Sequence, residues 1–172
     1  MGGGLVITDR RTSGTQLEDQ SIELKSGGRL REAVADRGNV SVTSYNRVVL
    51  ITGEVQTEAD RVAAEKAIAR IENVRGTVNE LAVMGNSALT SRSNDAILTS
   101  KIKASFIDAA DLQANAVKVV VERGIAYLMG RVTEREANRA TELSRGVGGV
   151  LKVIRVFELV SEAELAALQP KK

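Results

Sequence analysis

Little in this sequence has the makings of a reaction centre. Histidine and cysteine are absent from its 172 residues, which removes His-based triads, thiol nucleophiles, disulfides and zinc sites of the usual ligand set. Two carboxylates, Glu134 and Glu136, stand close together and are of the type that does acid–base work. They open a helical stretch, however, where acids favour the positive end of the helix dipole. No nucleophile–base pair or metal cluster accompanies them. Gly146–Gly149 reads GVGG, but a phosphate loop would run on into Lys-Ser/Thr and a helix. Here the glycines read as a helix stop before a strand. The expectation is a protein that is not an enzyme and needs neither a metal nor an organic cofactor.

A second kind of chemistry is open to the stretch SNDAILTSKIKASF, residues 93–106. Leu98, Ile102 and Phe106 recur every four residues and can face a core. That leaves Ile97 on a flank, with Lys101 and Lys103 about one turn on. An exposed Ile beside two lysines suits an anionic lipid surface, combining apolar insertion with headgroup attraction. A wide core face with solvated lysines gives the same pattern, so the residues alone leave both readings open.

The elements that must position these residues come in two copies. GEVQTEADRVAAEK opens at Gly53 and GRVTEREANRATEL at Gly130, an offset of 77 residues. Val40, Val42 and Ser44 alternate with polar residues, as do Val117, Val119 and Val121, and this period of two argues a strand. Turns follow at Tyr45-Asn46-Arg47 and Glu122-Arg123-Gly124, then the apolar strands Val48–Ile51 and Ile125–Met129, so each copy holds a hairpin. Thr57 with Asp60, and Thr133 with Glu136, have the spacing of a capping box at a helix start. A third strand closes each copy, at Thr77–Val83 and Val153–Val160. A helix precedes each hairpin. The second is capped at Ser93 or Asn94; the first, carrying Leu17, Ile22, Leu24, Leu30 and Val34, is expected to be short, kinked or frayed at Gly27-Gly28. Gly53 and Gly130 read as structural glycines, placed at a strand end where a side chain would clash or φ must be positive.

The hydrophobic share of 43% suffices for packed cores, and the 2% of aromatics means that Val, Ile, Leu and Ala build them. A net charge of +2 carries no strong polyanion signal, so nucleic acid is not an expected partner. Residues 17–83 hold nine basic and eleven acidic side chains, residues 93–160 ten and eight. No apolar run approaches the roughly 20 residues of a membrane span. MGGGLVITDRRTSGTQ reads as an artificial start or the stump of a removed leader. The expected organisation is a disordered segment at 1–14, one unit at 15–83, a linker at 84–92, a second unit at 93–160 and a tail at 161–172, the tail a short helix stopped by Pro170.

The hairpin end Leu128-Met129-Gly130-Arg131-Val132 followed by Glu136-Ala137-Asn138-Arg139 resembles the BON domain of bacterial envelope proteins. So does Leu50-Ile51-Thr52-Gly53 followed by Glu58-Ala59-Asp60-Arg61, with Ile51-Thr52 before its Gly as a slight departure. DRRTSGTQLED, SNDAILTSKIK and GRVTEREA look like the dual-BON outer-membrane lipoproteins, and the resemblance runs from Asp9 to Val160. It implies an α+β fold of two tandem BON units, each helix-strand-strand-helix-strand with its helices packed on a three-stranded mixed sheet. It implies a monomer on the periplasmic face of the outer membrane, lipid-anchored in its precursor, with the leader and lipobox Cys absent from this chain. The partner it implies is an anionic, phosphatidylglycerol-like phospholipid surface, with envelope proteins as further partners and a role in envelope integrity at the cell division site. Carried over residue by residue, the lipid-binding set is Asp95, Ile97, Leu98, Lys101, Ile102 and Lys103. Relatives of this type place an aromatic where this chain has Ile97, which implies weaker interfacial anchoring here. The alternative is a periplasmic protein-interaction or chaperone module, like the osmotic-stress members of the family.

Overall fold

The computed structural model describes residues 9–85 and 89–168. The chain falls into two compact units, one of residues 11–85 and the other of residues 89–168 joined by Asp9 and Arg10. In the first, α1 (Ser13–Val34) leads into the hairpin β1 (Gly38–Tyr45) and β2 (Val48–Val55). Helix α2 (Glu58–Ala69) then returns the chain to β3 (Gly76–Asn79) and β4 (Ala82–Val83), an interrupted third strand. In the second, α3 (Leu89–Asp108) precedes β5 (Lys118–Glu122) and β6 (Ile125–Val132), followed by α4 (Glu134–Arg145), β7 (Lys152–Leu159) and a last helix α5 (Glu162–Leu168). Both sheets are mixed. The central strand pairs antiparallel with its hairpin partner and parallel with the third strand. That parallel pairing requires a crossover, which α2 and α4 supply. The fold is the α+β arrangement of two repeated helix-strand-strand-helix-strand units.

Each unit has its own aliphatic core. Ile22, Leu30 and Val34 of α1 meet Val49, Ile51 and Val55 of β2 and Ala64 and Ile68 of α2. In the second unit Leu98, Ile102 and Phe106 meet Val119, Val121, Ala126, Leu128 and Val132, with Ala137 and Ala140 from α4. Full burial of one such large side chain contributes about 1.5–3 kcal/mol, so the inward stripes of α1 and α3 are principal stabilising contacts of their units. The small residues of α2 and α4 let those helices lie close on the sheet.

Several boundaries differ from expectation. Helix α1 runs unbroken through Gly27 and Gly28, because the inward stripe of Ile22, Ser26, Leu30 and Val34 keeps period on both sides of the pair. Packing of that stripe outweighs roughly 1 kcal/mol of propensity lost at each glycine. Of the apolar residues that suggest this helix, Leu17 and Leu24 are exposed. Residues 9–14, expected within a disordered segment, are tied down. Arg10 is buried, Arg11 pairs with Asp19 at 3.1 Å, and the Thr12 hydroxyl accepts from Thr15 N–H at 3.0 Å as the α1 cap. Helix α3 begins at Leu89, not at Ser93 or Asn94. Gly53 and Gly130 lie inside β2 and β6, two residues short of the strand ends. Residues 1–8 and Pro170 lie outside the described residues.

Candidate functional site

Helix α3 is divided by its packing into two faces. At 100° per residue, Leu98, Ile102 and Phe106 form the inner stripe, and all three are buried. Relative to Ile102, Ile97 and Ile107 sit at about −140° and +140°, and Lys101 and Lys103 at about −100° and +100°. The back of the helix thus carries two aliphatic tips framed by two ammonium groups. Ile97 is 52% and Ile107 72% exposed, and both lysines are exposed. Among the described residues no carboxylate pairs with either lysine.

The structure therefore splits the six residues expected to touch lipid. Ile97, Lys101 and Lys103 face outward. Leu98 and Ile102 belong to the core, since four-residue spacing returns a helix to the same inward side. Asp95 is also turned inward. Its Oδ2 accepts from the Arg123 N–H at 2.8 Å and its Oδ1 from the Gly124 N–H at 2.9 Å. It holds a two-residue hairpin turn whose central residues have φ of 50° and 77°, the pattern of a type I′ turn. The first unit repeats the device. Asp19 accepts from Asn46 N–H and Arg47 N–H at 2.8 Å each, and from the Ser44 hydroxyl at 2.7 Å. Asp95 thus ties α3 to the hairpin of its sheet. Asp95→Ala should cost about 1–3 kcal/mol, because two N–H groups of the turn lose a charged acceptor. Thermal unfolding of the variant checks this, and Asp19→Ala should cost more, having more bonds to lose.

The Leu98-Ile102-Phe106 spacing points only to the inner side of the wheel and so passes over Ile107 on the other. A 100° projection carried past Phe106 finds it. The first unit offers no matching surface. Aligning Asp19 with Asp95 puts Ser21 where Ile97 stands. Helix α1 does expose Leu17 at 67% and Leu24 at 82%, but its charges are mixed. Glu18 and Glu23 lie nearby, and Lys25 reaches Glu72 at 4.0 Å.

Of the paired acids, Glu134 stands in the first turn of α4 and Glu136 is bound into a structural network. The Thr133 N–H donates to Glu136 Oε1 at 3.0 Å and the Glu136 N–H to the Thr133 hydroxyl at 3.3 Å, completing a capping box. Arg10 then closes on both carboxylate oxygens at 2.8 Å. Burial alone would push the Glu136 carboxyl up; the Arg10 guanidinium and the Thr133 donors reverse this and hold it below the usual carboxylate range. Glu136 is thus enclosed by donors of Arg10 and Thr133. Among the described residues, no group of three or more His, Cys, Asp or Glu is placed to hold a metal ion, and no helix is long and apolar enough to cross a membrane.

Comparison with known proteins agrees with this architecture. The BON domain profile matches residues 18–85 and again 94–161. Outer membrane lipoprotein DolP of Haemophilus influenzae is 34% identical over 164 residues, covering 92% of this chain and 85% of the relative. The 21 kDa hemolysin of Actinobacillus pleuropneumoniae is 30% identical over 154 residues, covering 88% and 79%. Osmotically-inducible protein Y of Escherichia coli is 26% identical over 159 residues, covering 88% and 77%. Two matched domains that fill most of the chain, each folded as the same helix-strand-strand-helix-strand unit, make it a member of the BON domain family, of the two-domain kind to which DolP is similar.

Proposed function

We propose that this chain is a non-enzymatic envelope protein that binds anionic phospholipid through the outer face of α3, at the outer membrane named for its DolP relative. The observation that carries the reading is Ile97, half exposed on the back of α3 and framed by Lys101 and Lys103, with no carboxylate paired to either lysine among the described residues. Each lysine near an anionic surface contributes about 1 kcal/mol, and an inserted aliphatic side chain about 1–2 kcal/mol. Such a surface gives a weak, reversible contact that works best beside a lipid anchor. Binding should fall with salt and vanish on zwitterionic vesicles, since part of the attraction is electrostatic.

Vesicle co-sedimentation tests this. Ile97→Asp and Lys101→Glu/Lys103→Glu should each weaken binding to phosphatidylglycerol vesicles by at least about thirtyfold, while Leu24→Asp on α1 should leave it unchanged. Circular dichroism checks folding. If the α3 variants stay folded and bind like the parent, the protein-interaction reading of the osmotically inducible relative becomes the better one.

A further inference from the structure

We infer that the second unit meets an anionic bilayer tilted onto the N-terminal half of α3, with the α4–β7 loop inserting Leu151 beside Ile97. The inference rests on the lipid reading above and adds a second contact to it. Leu151 is 79% exposed, though it adjoins the apolar residues Val147 and Val150 that pack on the core. Its N–H donates to the Gly124 carbonyl at 2.8 Å, so the loop is pinned and Leu151 is held out by a fixed backbone.

Two observations set which end of α3 the loop serves. First, Gly149 packs on Leu98 so closely that a Cβ there would lie 3.0 Å from Leu98 Cδ2. Going around the N-terminal half of the helix from Leu98, the next side chains are Asn94, Lys101 and then Ile97. The loop therefore borders the flank that carries Ile97, not the flank of Lys103 and Ile107. Leu151 itself lies against Gly124, whose N–H is held by Asp95 on the inner side of the N-terminal half of α3. Second, the charges differ at the two ends. Arg145 and Lys152 flank the loop, both exposed and with no carboxylate paired to them among the described residues. Exposed acids near this end are few; Glu142 contacts Arg139 at 3.7 Å, and Glu122 is half-buried. Ile107, about 15 Å along the axis from Ile97, is followed by the exposed acid Asp108, and Asp111 beyond it is paired with Arg139 at 3.1 Å. An anionic surface is attracted more strongly at the loop end than at the other.

The first unit supplies an internal comparison. Arg75 N–H donates to the Arg47 carbonyl at 2.8 Å, the same bond that Leu151 makes to Gly124. Asn73, with φ of 76°, stands where Gly149 has φ of 102°. The backbone is repeated, but the exposed tip is Arg75 in one unit and Leu151 in the other.

The chain has no cysteine, so single-cysteine variants at Ile97, Ile107 and Leu151 can each carry an environment-sensitive fluorophore. On phosphatidylglycerol vesicles the labels at 97 and 151 should shift to the blue and resist aqueous iodide, while the label at 107 stays quenchable. Leu151→Ser, which removes the aliphatic tip without adding a charge, should weaken vesicle binding about fivefold without moving the melting temperature. Protection at 97 and 107 with 151 exposed means a flat-lying helix and overturns the tilt while leaving the lipid reading intact. Protection at 151 alone overturns the shared contact, and no protection at any site removes both proposals.

Discussion

Arg10→Ala lowers the stability of the second unit by about 3–5 kcal/mol, the expected result of leaving a buried carboxylate without its counter-charge. The Arg10 guanidinium donates to Oε1 and Oε2 of Glu136 at 2.8 Å each, to the Arg131 carbonyl at 2.8 Å and to Gln113 Oε1 at 3.1 Å. Both side chains are almost fully shielded from water. The cost of removal is not the net worth of the pair. Arg10 Nε is buried without a partner, so the fold already bears an unmet donor, and dehydrating both ions offsets much of their attraction. Truncating one partner removes the attraction and keeps the dehydration of the other. Arg10→Lys should fall between, since one ammonium cannot span two carboxylate oxygens as a guanidinium does. Chemical denaturation at neutral pH reads the effect, and a loss below 1 kcal/mol would show the segment to be a surface strap.

The same pair sets a pH dependence with a definite sign. The folded Glu136 carboxyl lies below its ordinary range, so its contribution is fully present above that range and is lost as pH falls through the depressed folded value. In Arg10→Ala the remaining large influence is burial, which pushes the carboxyl up. Protonation then relieves the variant as pH falls, while the parent loses stability. The gap between the two proteins should therefore narrow from pH 7 to pH 4. A gap that stays constant or widens would place the acid sensitivity elsewhere.

The repeat itself was plain in the sequence because its evidence is local: alternating strands, Thr-x-x-acid caps and a glycine at a constant offset. The site was legible only in part, and the reason is visible on α3. That helix is apolar on both sides, with Leu98, Ile102 and Phe106 inward and Ile97 and Ile107 outward. Four-residue spacing marks one side and says nothing of the other. Asp95 entered the expected lipid set only by carry-over of the whole helix from the resemblance, whereas its partners are the backbone N–H groups of Arg123 and Gly124, 28 and 29 residues away. No local pattern records that pairing, though Asp19 and Asp95 recurring ahead of both hairpins was a trace of it. Arg10 was visible as a letter, but its partner Glu136 is 126 residues on. Leu151 was hidden by the glycines around it, which read as a helix stop. The continuity of α1 across Gly27-Gly28 was missed because propensity is local and the stripe that overrides it is tertiary.

Those two glycines and the repeated pair give substitutions of opposite sign from one residue type. Gly53→Ala and Gly130→Ala should each prevent stable folding of their unit, with losses above about 4 kcal/mol. Gly53 has φ of 115° and Gly130 of 153°, a region that residues with a Cβ rarely occupy. A Cβ at Gly53 would run into the Asn39 carbonyl oxygen and lie 3.0 Å from its carbon; one at Gly130 would run into the Ala116 carbonyl oxygen. Both obstacles are backbone of the strand region alongside, so no side chain can swing aside, and the hairpin must separate or its central strand must bend. Gly53→Ala should be the more severe, because its approach is closer and its φ further from extended geometry. Gly27→Ala and Gly28→Ala meet nothing within 4 Å and sit inside a regular helix. Each should stabilise the first unit by about 0.5–1 kcal/mol, the propensity difference between Ala and Gly. Circular dichroism melts and the dispersion of amide NMR signals from each unit distinguish the outcomes. If Gly53→Ala folds with near-parental stability, the close passage of the Asn39 carbonyl over β2 is not a feature of the protein, and the repeated Gly would then need a ligand to explain it.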